Sequence, residues 1–518
     1  MSAVQTESVG IKPVAHRALG RQFIYNSAAT ALLYAVTLLI GIWYPPFTLH
    51  HLGITLQATV QLAASFVYYM QFATTGISSS VGRLVMADAA RGDMEAANRT
   101  FNTFIVAAQR VVLISLVGIA AMVFFVVPRF NHPEGQLTAT RFLFAAILGS
   151  ALIQVFNMCL DSCIWVSGRI DVRSSIFIVE IMVRSGSVVV LFSLANPSLW
   201  HIGIAALVAP LSSLVLYYIS WKKLAPELTL NRGYFDLHRF REIRGQGGWM
   251  LVYQIGTALQ FNADIILLNL LLGSTVQGFY GMLLTWGTIF RGLLGSMGQL
   301  LASSLAAFQA SEEHERLAGL ALKGVRMQGM LISIPVGVLC GLAGPALNWW
   351  LGPEFTFIAP LAWLILVPLV LEGSFNPVLV VVQAPDAVAF ASKAVVGLGI
   401  LNVLLGITLV KFTSLGMYGI ALAVASTSVV RHGIVLPIYA ARVIRLPWYS
   451  IIQQQAQIII QLGITAVLGM YAAQFVHSRS FIQLFLAACA AGTVAAAIAA
   501  AQLNQDERAR ILSLIRRR

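Results

Sequence analysis

Charge is what this chain has least of. Only 10% of its 518 residues are Asp, Glu, Lys or Arg, against 58% hydrophobic, and an ordinary soluble domain carries about 25% charged residues. That shortage excludes a disordered chain and a plain soluble core, because the apolar surplus recurs in block after block long enough to cross a bilayer. Negative charge is scarcer still, with 20 acidic residues to 33 Lys and Arg. Cysteine is rare: Cys159, Cys163, Cys340 and Cys489 all lie in apolar segments, and Cys159 and Cys163 are spaced four apart rather than as CxxC. This removes a disulfide framework and a zinc site and leaves packing. There is no GxxxxGK[ST], no HExxH and no GxSxG in a suitable context, so neither ATP hydrolysis nor metalloprotease or serine hydrolase chemistry is supported. Neither a metal nor a cofactor is implied; the His50–His51 pair in a loop is weak evidence for one. The longest outer loop expected is about residues 128–140, which cannot hold a folded catalytic domain. A glycan polymerase or ligase needs such a loop, so the chain is expected not to be an enzyme.

What is present is a series of apolar spans. The pattern predicts an all-α, polytopic membrane protein with about fourteen transmembrane helices. Their ranges are 22–44, 55–82, 102–127, 140–166, 174–194, 200–221, 248–272, 276–308, 327–351, 357–384, 391–411, 416–440, 451–475 and 480–503. Residues 1–21 are polar and weakly basic with no cleavable signal, so the first span is expected to stay in place. With the N-terminus placed in the cytoplasm, 25 of the 33 Lys and Arg fall on the cytoplasmic side. Only Arg129, Arg141, Lys411 and Arg479 fall outside, and four lie within spans. This asymmetry predicts both termini inside. It also accounts for the net charge of +13 without nucleic acid, since a basic face beside anionic lipid suffices. The basic tail QDERARILSLIRRR suits either a surface-lying helix or a solvated end.

The longest polar break, 222–246, divides the chain. Residues 1–221 read as an N-terminal six-helix lobe, 222–246 as a cytoplasmic linker, 247–440 as a second six-helix lobe, and 441–518 as two added helices with a basic tail. Short repeats relate the lobes: Leu52–Gly53 returns at Leu272–Gly273, VLIS at Val112 returns as MLIS at Met330, and Glu95 falls on Glu313. Even numbers of spans per lobe give parallel repeats.

Polar residues recur on single helical faces: Asn26, Thr30, Tyr34, Thr37 and Tyr44; Gln57, Gln61, Ser65, Tyr68 and Thr75; Ser150, Gln154, Asn157 and Asp161; Gln254, Thr257 and Asp264. Steps of three, four or seven keep one face. Such stripes serve helix–helix hydrogen bonding, but four in one chain favour a shared hydrated cavity. Eight charges lie inside spans: Arg110, Asp161, Glu180, Arg184, Asp264, Arg291, Glu372 and Arg431, each at an insertion cost of roughly 2.5–3.5 kcal/mol. Glu180 and Arg184, four apart, either neutralise one another along their helix or present Arg184 to an anion with Glu180 holding it. Arg110, Arg291 and Arg431 have no acid within four positions and must find a partner on another helix, a ligand or water. A guanidinium suits phosphate because its planar fork binds bidentately and stays charged. Asp264 and Glu372, with Asp161 and Glu180, are candidate counter-ions or ion-coupling sites. Pro335, Pro368 and Pro377 are candidate bends.

These features resemble the polysaccharide flippase (Wzx-type, PST) branch of the MOP transporter superfamily. The resembling segments are LLLGSTVQGFYGML (270–283), QASEEHERLAGLALKG (309–324), LISIPVGVLCGLAGPALNWWLGPEF (331–355) and, in the first half, GRLVMADAARGDMEAANRTF (82–101). The resemblance implies two six-helix lobes about a cavity in a bacterial inner membrane. It also implies export of a lipid-pyrophosphate-linked oligosaccharide by alternating access, with membrane lipids, a polysaccharide polymerase and chain-length machinery as partners. It assigns no particular arginine; Arg110, Arg184, Arg291 and Arg431 are nominated for the pyrophosphate from the reading of charges above. Four buried acids depart from a purely cationic cavity and leave a MATE-like, cation-coupled multidrug antiporter as the alternative.

Overall fold

A computed structural model describes residues 16–384, 386–477 and 480–501. Lys12, Arg479 and the tail from residue 502, counted above for orientation, lie outside the described residues. The described residues contain helices and their connections, and no strand. The chain divides into two compact units, Met1–Leu251 and Val252–Arg518.

The first unit holds α1 (His16–Ala90), α2 (Met94–Ala121), α3 (Leu137–Val166), α4 (Ile170–Leu194) and α5 (Leu199–Leu224). The unit boundary falls within α6 (Leu237–Phe261). The second unit continues with α7 (Ala263–Leu272), α8 (Ser274–Ala310), α9 (His314–Gly341), α10 (Ala343–Trp350), α11 (Ala359–Phe375), α12 (Leu379–Val382) and α13 (Val388–Phe412). It ends with α14 (Met417–Val430), α15 (Leu436–Ile444), α16 (Ser450–Ala473) and α17 (Phe481–Ala501). Among the described residues, twelve helical segments are each long and apolar enough to cross a membrane. Against the fourteen ranges expected, the two limbs of α1 count there as one, and α8 is not among the twelve. The lipid-facing character is visible in runs such as Leu113, Ile114, Val117, Phe124 and Phe125, all exposed. Exposed apolar surface on this scale suits hydrocarbon and not water.

Helix breaks recur at matching positions in the two halves. α1 changes direction at Gly53 (φ 75°, ψ 167°), and α7 gives way to α8 at Gly273 (φ 86°, ψ 168°). Both need a glycine, since a Cβ is strained at such φ. The starts of α2 and α9, Met94 and His314, are again 220 apart. Just before them, Gly92 and Glu312 both have positive φ, 78° and 58°. The repeat spacing at this point is therefore 220, which moves the counterpart of Glu95 from Glu313 to Glu315, also an acid in a first helical turn.

Side chains explain the packing. In the first unit, Phe101 and Phe104 of α2 meet Cys159, Cys163 and Ile164 of α3 and Tyr217 and Trp221 of α5 in one buried cluster. In the second, α9 approaches α16 through glycines. A Cβ on Gly329 would meet Ile458, one on Gly337 would meet Thr465, and one on Gly341 would lie 2.5 Å from the backbone of Ala466. Small residues on one face let two membrane helices close in. The expected bend at Pro377 appears as a 3-10 turn, Asn376–Val378, after α11.

The polar break is shorter than its composition suggests, because residues from Leu237 onward already form α6. The remaining connection is bound to α2. Asn98 Nδ2 donates to Glu227 O (3.0 Å) and Asn98 Oδ1 accepts from Thr229 N (2.8 Å). One turn on, Asn102 repeats the pattern with Thr229 O (2.8 Å) and Asn231 N (2.9 Å), and Thr103 Oγ1 accepts from Asp236 N (3.0 Å). Alternate residues of the connection, Thr229 and Asn231, meet side chains one helical turn apart on α2. Backbone groups that would otherwise need water find partners on a helix face.

Candidate functional site

The first unit contains a cavity of about 560 Å³ lined by residues of α1, α3, α4 and α5. Tyr44 and Tyr68 come from the two limbs of α1. Ser150, Gln154, Asn157 and Asp161 come from α3, and Arg173, Phe177 and Arg184 from α4. Tyr44 of the first stripe, Tyr68 of the second and the whole third stripe thus open onto one space. The lower part of the first stripe instead joins α1 to α4: Asn26 Oδ1 accepts from Asp171 N (3.0 Å), and Thr30 and Ser174 hydroxyls lie 3.3 Å apart. That segment follows the helix-bonding reading. The side chain of Thr75 lies outside the described residues.

Glu180 is buried, and its Oε1 accepts from Gln154 Nε2 (2.5 Å) and from Arg184 Nη2 (3.4 Å). The carboxylate side chain is 7% exposed and the arginine 49%. Glu180 Oε2 is buried with no hydrogen-bond partner. The pair is therefore lopsided: the acid is fixed from beneath by a neighbouring helix, and the base leans into the cavity. Asp161 and Arg173 repeat this arrangement nearer the start of α4. Arg173 Nε donates to both carboxylate oxygens at 3.1 and 2.9 Å, with side-chain exposures of 10% for the acid and 33% for the base. Arg173 also stacks 5.1 Å above Phe177.

The second unit gathers the other interior charges. Arg291 of α8 donates from Nε to Glu372 of α11 at 3.2 Å, and its guanidinium lies 4.3 Å from the Phe261 ring centre. Arg431 follows α14 in a short π-helical segment, Arg431–Val435, and is 2% exposed. It donates to Gln260 Oε1 (2.7 Å), Tyr253 OH (2.9 Å) and Thr257 Oγ1 (3.0 Å), all on one face of α6. Its Nε is buried without a partner, and no carboxylate forms an ion pair with it among the described residues. Its positive charge is spread over three neutral oxygens and the faces of Tyr253 and Phe261, at 5.2 and 5.7 Å. Phe261 thus carries a guanidinium contact from both Arg291 and Arg431. Asp264 is buried and accepts from Tyr280 OH (2.9 Å) and from its neighbour's backbone, Ile265 N (2.8 Å).

Of the eight nominated residues, Asp161, Glu180 and Arg184 meet around the first-unit cavity, and Asp264, Arg291, Glu372 and Arg431 lie within the second unit. Arg110 joins neither group: it is exposed on α2, 5.3 Å from the Phe235 ring. Arg173 was missed because it sits just after the loop residue Arg169 and reads as part of a cytoplasmic link. The spacing Arg173, Phe177, Glu180, Arg184, which keeps one helix face, was the available signal. Tyr253 and Gln260 were missed because the α6 face seen in the sequence was drawn through Gln254.

No family model matches the chain. It is 30% identical over 424 residues to the uncharacterized membrane protein EpsK of Bacillus subtilis (strain 168), spanning 82% of this chain and 84% of the relative. The chain belongs to the EpsK family. The EpsK-family fold is shared with solved structures at low identity. The lipid II flippase MurJ in an inward closed conformation has a TM-score of 0.65 and 14% identity, covering 92% of this chain and 98% of MurJ. An inward-facing multidrug resistance MATE transporter of the MOP superfamily gives 0.56 and 14%, covering 85% and 98%. The eukaryotic MATE transporter AtDTX14 gives 0.59 and 12%, covering 86% and 98%. The chain therefore has the MOP-superfamily transporter fold, all-helical and membrane-spanning, and these neighbours are transporters and flippases rather than enzymes.

Proposed function

We propose that this EpsK-family protein is a flippase that moves a lipid-pyrophosphate-linked oligosaccharide from the inner to the outer leaflet of a bacterial cytoplasmic membrane, by alternating access, for polysaccharide synthesis. The observation that carries the reading is Arg184: a guanidinium half-exposed to a polar cavity in the membrane interior, tethered to a carboxylate that is buried and fixed by Gln154. A tethered arginine is tolerable without substrate, and its open side offers hydrogen bonds to phosphate oxygens. Ser150, Asn157, Tyr44 and Tyr68 line the same space and offer hydroxyl and amide partners to sugars, while the prenyl chain remains in lipid. The excess of Lys and Arg on one side of the expected topology supports a cytoplasmic location for both termini. A polymerase and chain-length machinery would take up the product, and their consumption of it, or an ion gradient, would drive transport. The cation-coupled antiporter reading is weaker, because all four interior acids are already engaged: Asp161 by Arg173, Glu180 by Gln154 and Arg184, Glu372 by Arg291, and Asp264 by Tyr280.

The test is reconstitution. Purified protein in liposomes receives a fluorescent undecaprenyl-pyrophosphate disaccharide, and exposure of the label in the opposite leaflet is followed. Protein-dependent translocation that Arg184→Ala reduces at least tenfold is expected. An inert wild type that instead exchanges a small cation for protons would transfer the assignment to the antiporter.

A further inference from the structure

We propose that the first unit carries a lipid site separate from the Arg184 cavity: a groove between α2, α3 and α5 that holds one acyl chain of an anionic phospholipid, with Lys222 meeting the headgroup phosphate. The groove has a volume of about 490 Å³, and its apolar wall includes Ile105 and Val106 of α2, Phe156 and Leu160 of α3, and Leu214 of α5. One turn of an α-helix, about 10–12 Å across and 5.4 Å long, would fill that volume by itself. The space therefore suits a slender alkyl chain and not a partner's helix. α3 divides it from the other cavity, since Phe156, Cys159 and Leu160 face the groove while Ser150 and Gln154 face the space that holds Arg184. The chain of a substrate held at Arg184 starts on the other side of α3, so the groove calls for an occupant of its own.

The two ends of the groove differ. At one, Trp221 Nε1 donates to Leu228 O (2.9 Å) and Asn102 Oδ1 accepts from Asn231 N (2.9 Å), so this end lies against the connection that follows α5. Lys222 stands here, exposed, with its ammonium 4.3 Å from the Trp221 ring centre and 5.9 Å from that of Tyr218. Both rings also line the groove. A cation held over aromatic faces is placed without being neutralised. No carboxylate pairs with Lys222 among the described residues, Glu227 of the connection included. Tyr218, half-exposed, adds a hydroxyl to the same wall. Arg110 follows Gln109 and sets its guanidinium 5.3 Å from Phe235 of the connection, which adds positive charge on the connection's side. Leu214 lies seven residues from Trp221, about 10 Å along the helix, and the lining contains no charged side chain. A phospholipid has this layout, with charge at one end and hydrocarbon beyond it. On the expected topology the Lys222 end lies at the cytoplasmic surface, where anionic lipids set a negative potential.

Native mass spectrometry of the full-length protein in detergent, titrated with dioleoyl phosphatidylglycerol, reads the affinity of the first bound lipid. Lys222→Gln is expected to weaken it about fivefold, the worth of one lysine at an anionic headgroup. Lys223→Gln removes an exposed neighbouring charge and should change it less than about twofold, as for a surface charge without direct contact. Leu214→Trp fills the groove and should weaken phosphatidylglycerol and phosphatidylcholine alike by about tenfold, the loss of about two buried methylene groups. Lys222→Gln should weaken phosphatidylcholine less than phosphatidylglycerol. Gel filtration checks that each variant is folded, and the exposed Lys222 site keeps the test decisive if Leu214→Trp is not. An unchanged phosphatidylglycerol affinity in Lys222→Gln, or equal losses in Lys222→Gln and Lys223→Gln, would overturn the proposal. Displacement of the bound lipid by undecaprenyl pyrophosphate at equal concentration would give the groove to the substrate's chain instead, and a wild-type dimer that Leu214→Trp dissociates would give it to a second copy. The flippase reading stands or falls separately, on translocation of the pyrophosphate probe.

Discussion

The bond between α2 and the connection after α5 makes a sharp quantitative prediction. Thr229 and Asn231 donate their backbone N–H groups to Asn98 and Asn102 side chains, and the same two side chains cap Glu227 O and Thr229 O. Each hydrogen bond contributes about 1 kcal/mol net. Asn102→Ala removes two of these contacts, about 2 kcal/mol, which multiplies the local opening constant by about thirty. Asn98→Ala/Asn102→Ala removes four and should multiply it by about a thousand. Hydrogen exchange reads such local opening directly when reclosing is fast. Deuterium uptake over residues 225–236 should accelerate in that order, while the buried centre of α3 stays unchanged. Asn102→Asp sharpens the test. It keeps an acceptor for Asn231 N and loses the donor to Thr229 O, so the Asn231 amide should stay slower than in Asn102→Ala. Uptake in the double alanine variant within threefold of wild type would refute the idea that these side chains hold the connection.

Three further outcomes follow from particular contacts. Glu312 occupies a left-handed conformation at φ 58° where the first half has Gly92, so Glu312→Gly should raise stability by about 1 kcal/mol, read as a higher melting temperature in detergent. Gly341→Ala would put a methyl group 2.5 Å from the Ala466 carbonyl oxygen; a loss of about 1–3 kcal/mol is expected, and an unchanged melting temperature would mean that α9 and α16 are not so closely held. Glu372→Gln leaves Arg291 without its ion-pair partner in a part-buried site and should cost about 1–3 kcal/mol, with Arg291→Met/Glu372→Leu recovering most of the melting temperature.

Helices were legible because a bilayer forces the pattern: twenty apolar residues with few charges leave little else for the backbone to do. Among the described residues the expected ranges fall mostly on helix for that reason, and Gly53 and Gly273 were visible as a repeated Leu-Gly pair before their shared backbone geometry was known. The partners of the interior charges were harder to read, because pairing is a property of facing helices and not of one helix's period. Arg291 needed an acid from elsewhere, and Glu372 lies 81 positions away, a match that no local spacing encodes. Arg431 shows the limit more fully. Its charge is borne by neutral oxygens of Tyr253, Thr257 and Gln260, so a search for acids would never have found its site. The same logic separates the two arginine groups by role. A guanidinium that is 2% exposed and surrounded by fixed acceptors and rings, as at Arg431, has committed both of its terminal nitrogens inside its own unit and holds α6 to the end of α14. A guanidinium with half its side chain open, as at Arg184, still has donors to offer. On the flippase reading, exposure to the cavity, rather than the mere presence of an arginine in a span, is what would let a residue meet an anion.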